Sequence, residues 1–209
     1  LPKNKAPGPN GITYEIYKSL FNTSTENSLI NLKALTELIN TSLRTCMFPK
    51  EASHGETILL PKDFIFYGDM SRTRPITLLD SYRKIMEALL NKRLDKILLD
   101  HDMLKGLNYG FKRGVGTSDA ISIIRYLIDI AQDSKEKLLM AILDVQAAYD
   151  TVPMSAVESG LKRIKAPSSF INLLKSMEAN RTLIFATPYG PTNPFSPDCG
   201  LPQGGILSP

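Results

Sequence analysis

Cysteine is nearly absent from these 209 residues: Cys46 and Cys199 are the only two. Two are too few for a disulfide framework, and they read as free thiols in a reducing compartment. No apolar run approaches the ~18 residues that a membrane-spanning helix requires, and no stretch has the order of a signal peptide. The expectation is an intracellular chain, nuclear or cytoplasmic, with no membrane partner. Histidine is as scarce, and no cluster of His, Asp and Glu accompanies His54 or His101. That argues against a phosphatase or nuclease built on such a cluster. Internal repeats and low-complexity tracts are missing as well. There is no initiator methionine, and the chain stops at Ser208-Pro209 just after a Gly-rich turn, so a fragment is expected.

The net charge is +4, and it is unevenly spread. Between Pro61 and Arg125 stand 12 Lys/Arg against 8 Asp/Glu, so the remainder balances to zero. A local basic excess suits a polyanionic partner through counterion release, and suits a solvated helix face equally well. Residues 1–11 carry too many Pro and Gly for regular structure. Ile12, Ile16 and Leu20 then fall at helical spacing, followed by a Ser/Thr/Asn-rich loop at 22–28. Leu29, Leu32, Leu35, Ile39 and Leu43 predict an amphipathic helix ending before Phe48-Pro49. Glu56–Leu60 predicts a strand, and 63–73 reads as irregular. Over Ser81–Leu99 an apolar stripe of Ile85, Met86, Leu89, Leu90, Leu94, Ile97 and Leu98 predicts a long helix. Its opposite face, Arg83, Lys84, Lys92, Arg93 and Lys96, is expected to be solvated or to face a phosphate backbone. After the turn GFKRGVG at 110–116, Ser118 is the expected N-cap of a helix to Ala131. Residues 138–145, LLMAILDV, predict a buried strand. Helices over 154–165 and 168–179, entered through Pro153 and Pro167, and a strand over 182–186 complete an α+β pattern.

Asp144 closes that apolar run. A carboxylate at the end of a buried strand costs desolvation, and a divalent cation is the usual compensation, with the Val145 carbonyl as a second oxygen donor. Such an ion would align a phosphoryl or nucleotidyl transfer. An Asp capping the next turn explains the residue equally well.

The flanking residues bear on that choice. AILDVQAAYDTVP at 141–153 resembles motif A of reverse transcriptases, and GLPQGGILSP at 200–209 resembles their motif B. Lys62 followed by RPITLL at 74–79 is similar to the family's fingers motif. NYGFKRGVGT at 108–117 and KAPGPNG at 5–11 are similar to elements of the non-LTR, LINE-type branch. The five stand in the family's order from Lys5 to Pro209. The resemblance implies that Asp144 and Val145 bind the metal and that Asp144 is catalytic. It also implies that Tyr149 is the steric gate against a ribose 2′-hydroxyl, and that Lys62, Arg74, Gln203 and Gly204 contact the incoming nucleotide. Lys5, Gly8, Gly110, Phe111 and Lys112 would contact the template, and Asp150 would be structural. Arg suits triphosphate because its planar fork binds oxygens in pairs; glycine lets backbone approach a ligand closely. Asn10, Asn108 and Val115-Gly116 depart from the family's usual residues, which touches template grip rather than the metal site.

The implied architecture is an incomplete right-hand polymerase: a helical extension over 1–55, fingers over 56–137, and over 138–209 the first part of a palm whose sheet is flanked by helices. The YxDD motif would follow Pro209. The implied activity of the full-length protein is RNA-directed DNA polymerisation by two metal ions, Mg²⁺ or alternatively Mn²⁺, with an RNA template, a DNA primer or target and dNTPs as partners. One carboxylate cannot hold two cations, so the fragment alone is expected to be inactive. The competing expectation is a non-catalytic nucleic-acid-binding remnant or accessory protein. Oligomeric state is not legible.

Overall fold

A computed structural model of the chain describes residues 3–21, 26–62, 68–100, 103, 106–112 and 114–208. Positions 22–25 of the polar loop, 63–67, His101, Arg113 and Pro209 lie outside the described residues. The chain divides into two units, one formed by Leu1–Leu94 with Ala147–Ser208, the other by Asp95–Gln146.

A mixed four-stranded sheet organises the first unit, in the order β2-β1-β3-β4. The expected strand near 56–60 is β1 (His54–Pro61), joined in antiparallel register to β2 (Thr73–Leu79) from Gly55↔Leu79 to Pro61↔Thr73. On its other edge β1 runs parallel to β3 (Thr182–Thr187), which folds back onto the two-residue β4 (Gly190–Pro191). The β1–β3 pairing joins residues 128 positions apart, beyond the reach of local periodicity.

Helices α1 (Tyr14–Leu20), α2 (Glu26–Thr45), α6 (Met154–Arg163) and α7 (Ser168–Ala179) form close to where their apolar spacing places them. After β2 comes α3 (Ser81–Asp100), the spine of the core. Its Tyr82, Met86 and Leu90 pack with Ile39, Phe48, Ala52, Leu173 and Met177. Met86, Leu90, Leu173 and Met177 are at most 2% exposed, each contributing about 1.5–3 kcal/mol of apolar burial. Phe48 stacks on Tyr82 with ring centroids 5.6 Å apart. A second cluster joins Leu161 of α6 to Ala166, Ile171 and Leu174.

Two expectations about α3 are corrected. Leu89, expected in the apolar stripe, is exposed, and Arg83, expected on the solvated basic face, is 1% exposed. The first turns of α3 are enclosed by α7 and the 199–208 loop, so the buried positions are Ser81, Tyr82, Arg83, Met86, Glu87 and Leu90 rather than one apolar stripe. Local periodicity cannot register an enclosure made by distant segments.

The loop at 5–11 lies on the start of α3. The Asn10 N–H donates to Asp80 Oδ1 at 3.2 Å and Ser81 Oγ donates to the Ile12 carbonyl at 2.6 Å. Burial pushes the Asp80 carboxyl up, opposed by the Asn10 N–H. Gly8 is buried here, and a Cβ on it would run into the Asp80 backbone and carboxylate.

In the second unit, α4 covers Thr117–Asp133. It begins one residue before the expected cap: the Gly116 N–H donates to Asp119 Oδ2 at 2.7 Å, leaving Ser118 inside the first turn. The strand expected over 138–145 is not formed. Those residues pair with no strand among the described residues, and Leu139, Ile142 and Leu143 are 93%, 89% and 93% exposed. An apolar run supplies a strand's side chains, but the strand exists only with a neighbour to complete its ladder. No described helix is long and apolar enough to cross a membrane.

Candidate functional site

Three segments far apart in sequence meet in the first unit. The short helix α5 (Ala148–Thr151) starts from Ala147, which holds a left-handed φ of 48°. The Ala147 carbonyl accepts the Asp150 and Thr151 N–H groups, which exposes the Tyr149 and Val152 carbonyls at the turn's end. Both are taken by the 199–208 loop: the Leu201 N–H donates to Tyr149 at 2.6 Å and the Gly200 N–H to Val152 at 2.9 Å. Cys199 Sγ lies 3.4 Å from the Asp150 carbonyl, and both thiols of the chain are free, as expected.

The same loop reaches the free edge of β2, where the Thr77 N–H donates to the Gln203 carbonyl at 2.7 Å. Gly204 follows with φ of +141°, and a Cβ there would penetrate the Thr77 carbonyl oxygen. Both the backbone conformation and the contact therefore require glycine. Gly204→Ala is expected to displace the loop from β2 and to destabilise the first unit by about 1–3 kcal/mol, measured by chemical denaturation. A variant as stable as the parent would refute the close packing.

The Gln203 side chain has one described partner. Its Nε2 donates to Asp150 Oδ1 at 3.4 Å and Oδ2 at 3.3 Å. A carboxylate only accepts, so it fixes the amide with nitrogen inward and Oε1 directed away, an acceptor for some other group. Asp150, expected to be structural, thus orients a residue expected to touch nucleotide. Beside them a cleft of about 260 Å³ is lined by Thr57, Pro75, Thr77, Leu183, Phe185 and Gln203 among others.

Lys62 and Arg74 both stand at the far end of the β1–β2 ladder. The Lys62 N–H donates to the Arg72 carbonyl at 2.8 Å, and Arg74 stands opposite Leu60. Side chains directly opposite share a face, so this register places both cations on one side of the hairpin. Both are exposed, and Lys62 Nζ lies 3.4 Å from the Ser71 carbonyl.

Lys5 of the first unit is exposed, while Gly8 packs on Asp80. In the second unit Asn108 Oδ1 accepts the Gly110 N–H at 3.1 Å, and Phe111 holds φ of 55° with its ring 81% exposed; Lys112 follows. Asp144 and Val145 belong to this unit also, and both are exposed. Asp144, expected at the end of a buried strand, is therefore not desolvated, because the strand that would have buried it is not made. Its carboxylate and the Val145 carbonyl are hard oxygen donors of the kind Mg²⁺ takes. They fit as part of a donor set, since no group of three or more His, Cys, Asp or Glu able to hold a metal occurs among the described residues.

Sequence reasoning missed four charged residues behind the loop. Arg83 Nε donates to Glu87 Oε1 at 2.9 Å, and Arg83 Nη2 pairs with Glu178. Arg181 contacts Glu178 and donates to the Cys199 and Gly200 carbonyls, at 3.3 and 2.9 Å. Glu87 Oε2 accepts the Ile206 N–H at 2.6 Å. Burial alone would lower the Arg83 pKa, but the Glu178 and Glu87 carboxylates outweigh it and hold the guanidinium above its ordinary value. The i,i+4 spacing of Arg83 and Glu87 was a readable signal for one pair; the pairing with α7 was not.

Residues 60–209 match the family described as reverse transcriptase (RNA-dependent DNA polymerase). The chain is 27% identical over its whole length to a probable RNA-directed DNA polymerase from transposon BS of Drosophila melanogaster, covering 22% of that protein. It is 28% identical to the RNA-directed DNA polymerase from mobile element jockey of the same species, again over the whole chain and 22% of the relative. To a retrovirus-related Pol polyprotein from type-1 retrotransposable element R2 of Popillia japonica it is 27% identical, over 99% of the chain and 27% of the relative. The chain spans about a fifth to a quarter of the length of these curated relatives. It belongs to the reverse transcriptase family.

Proposed function

We propose that this chain is the part of a non-LTR retrotransposon RNA-directed DNA polymerase that receives the incoming nucleotide. In this reading residues 1–55 form a helical extension, 56–137 the fingers and 138–209 the first part of the palm. The longer protein copies an RNA template by adding dNTPs to the 3′-hydroxyl of a DNA primer or target. Members of the family work on nucleic-acid templates with nucleotide substrates and generally use divalent metal ions.

The observation that carries the proposal is the convergence of α5, the 199–208 loop and β2 through the Tyr149, Val152 and Thr77 backbone bonds. Three motifs that the sequence separates by up to about 120 positions share one hydrogen-bonded framework, which is what a nucleotide pocket requires of its walls. Lys62 and Arg74, on one face of the hairpin, suit triphosphate oxygens. Gln203, its amide nitrogen held by Asp150, offers Oε1 to a donor such as a sugar hydroxyl. Tyr149 would exclude a 2′-hydroxyl, the group that separates ribonucleotides from dNTPs. The exposed Phe111 ring suits stacking on a template base, with Lys5 and Lys112 nearby in sequence to turns that would carry phosphate contacts. Asp144 and the Val145 carbonyl would contribute to holding a Mg²⁺ or Mn²⁺ ion, which supplies charge neutralisation and alignment of the transferring phosphate when bound. The described residues provide one such carboxylate, so activity is assigned to the longer protein.

Primer extension on an RNA template by the full-length protein tests the reading, and Tyr149→Val sharpens it. The parent should incorporate dNTPs and reject rNTPs; the variant should incorporate rNTPs at least about tenfold more readily, since a gate that loses its ring loses its clash. Template binding without extension would favour a non-catalytic nucleic-acid-binding protein. Extension with unchanged sugar selectivity would remove Tyr149 from the gate.

A further inference from the structure

Behind the Gln203–Gly204 turn lies a buried set of two Arg and two Glu whose role stability does not explain. Arg83 and Glu87 are 1% and 2% exposed and Arg181 5%. Networks of this kind are often no more stable than apolar side chains of equal volume, because two desolvations offset each attraction. Here Arg181 Nε is buried with no hydrogen-bond partner, a further cost. What the four residues do achieve is specific: they grip the 199–208 loop at both ends. Arg181 holds the Cys199 and Gly200 carbonyls, and Glu87 holds the Ile206 N–H. Arg83 aims Glu87 through its Nε, is itself fixed on the Met177 carbonyl at 3.1 Å, and joins both pairs through Glu178. Between the two grips the backbone has no helix or strand, and its one described bond to the sheet is Thr77 to Gln203.

We propose that Glu87 and Arg181 are positioning residues that set the height and tilt of the Gln203–Gly204 turn, and with it the affinity for the incoming dNTP. The second half of this statement rests on the polymerase reading above; the first half does not. Neither residue is placed against substrate, so each acts through the loop backbone.

The decisive variant is the double substitution Arg83→Met/Glu87→Leu in the full-length protein. It replaces one ion pair by apolar side chains, keeps the neutral Glu178–Arg181 pair, and removes the anchor at Ile206. Amide hydrogen exchange in 200–206 should accelerate about tenfold or more, while β1 and α7 stay as in the parent. The KM for dNTP should rise about tenfold with kcat little changed, because a misplaced turn weakens binding without altering the reacting groups. A purely structural role would move stability everywhere and would not split KM from kcat. Unchanged exchange in 200–206 overturns the anchor. Faster exchange with an unchanged KM overturns its link to nucleotide affinity. A parent that extends no primer sinks the polymerase reading, and the exchange comparison still decides the anchor. Should the double variant lose structure throughout, Glu87→Met, which keeps the side chain's length, leaves Arg83 paired with Glu178 and offers Ile206 no acceptor, carries the same comparison with the same deciding outcomes.

Discussion

Asp144→Ala should lower primer extension by the full-length protein by about three orders of magnitude or more while leaving its stability unchanged. The first half follows from the proposed role. Charge stabilisation by a bound ion is worth several kcal/mol in a phosphoryl transition state, and each ~1.4 kcal/mol is a factor of ten in rate. The second half follows from the structure. Asp144 is exposed and makes no hydrogen bond or ion pair among the described residues, and surface substitutions of that kind stay within about 0.5 kcal/mol. The two measurements are single-turnover dNTP incorporation and a denaturant titration of the same preparation. Retained extension would exclude Asp144 from metal binding. Lost extension with lost stability would assign it a structural part that its surroundings do not suggest.

That contrast also marks how far the sequence carried. Elements whose side-chain period reports on their own neighbourhood were legible: β1 and β3, the last two helices, and the buried half of α3 around Met86 and Leu90. What failed were inferences needing a distant partner. LLMAILDV has the composition of a buried strand, yet it remains exposed because composition supplies side chains and not the neighbouring ladder. Arg83 looked like one of five cations on a solvated face, although Glu87 stood four positions on and Glu178 ninety-five. In the candidate site, resemblance picked out Gln203, Gly204 and Tyr149 one by one. It gave no hint that Asp150 holds the Gln203 amide or that β2 receives the Gln203 carbonyl. Those bonds are set by backbone geometry at Ala147 and Gly204, both at positive φ, which a residue pattern states only for the glycine.

Arg83→Ala alone should be among the most damaging substitutions in the first unit, costing about 3–5 kcal/mol. The same region that tolerates paired replacement does not tolerate a single one. Truncating Arg83 strips Glu87 and Glu178 of their shared cation, frees the Met177 carbonyl, and opens a cavity between α3 and α7. Two carboxylates then face each other in a site where Arg181 can neutralise only Glu178. Against a domain stability of about 5–15 kcal/mol, such a loss leaves little or nothing. It should be visible as a fall in denaturation midpoint with an unchanged m-value, or as failure to accumulate folded protein. The comparison that isolates the cause is with Arg83→Met, which keeps most of the buried volume but leaves Glu87 and Glu178 without their shared cation. If uncompensated charge is the origin, Arg83→Met is about as damaging as Arg83→Ala; if lost packing volume is the origin, it recovers most of the lost stability. In the first case Arg83→Met/Glu87→Leu, which removes one of the two carboxylates as well, recovers what Arg83→Met does not.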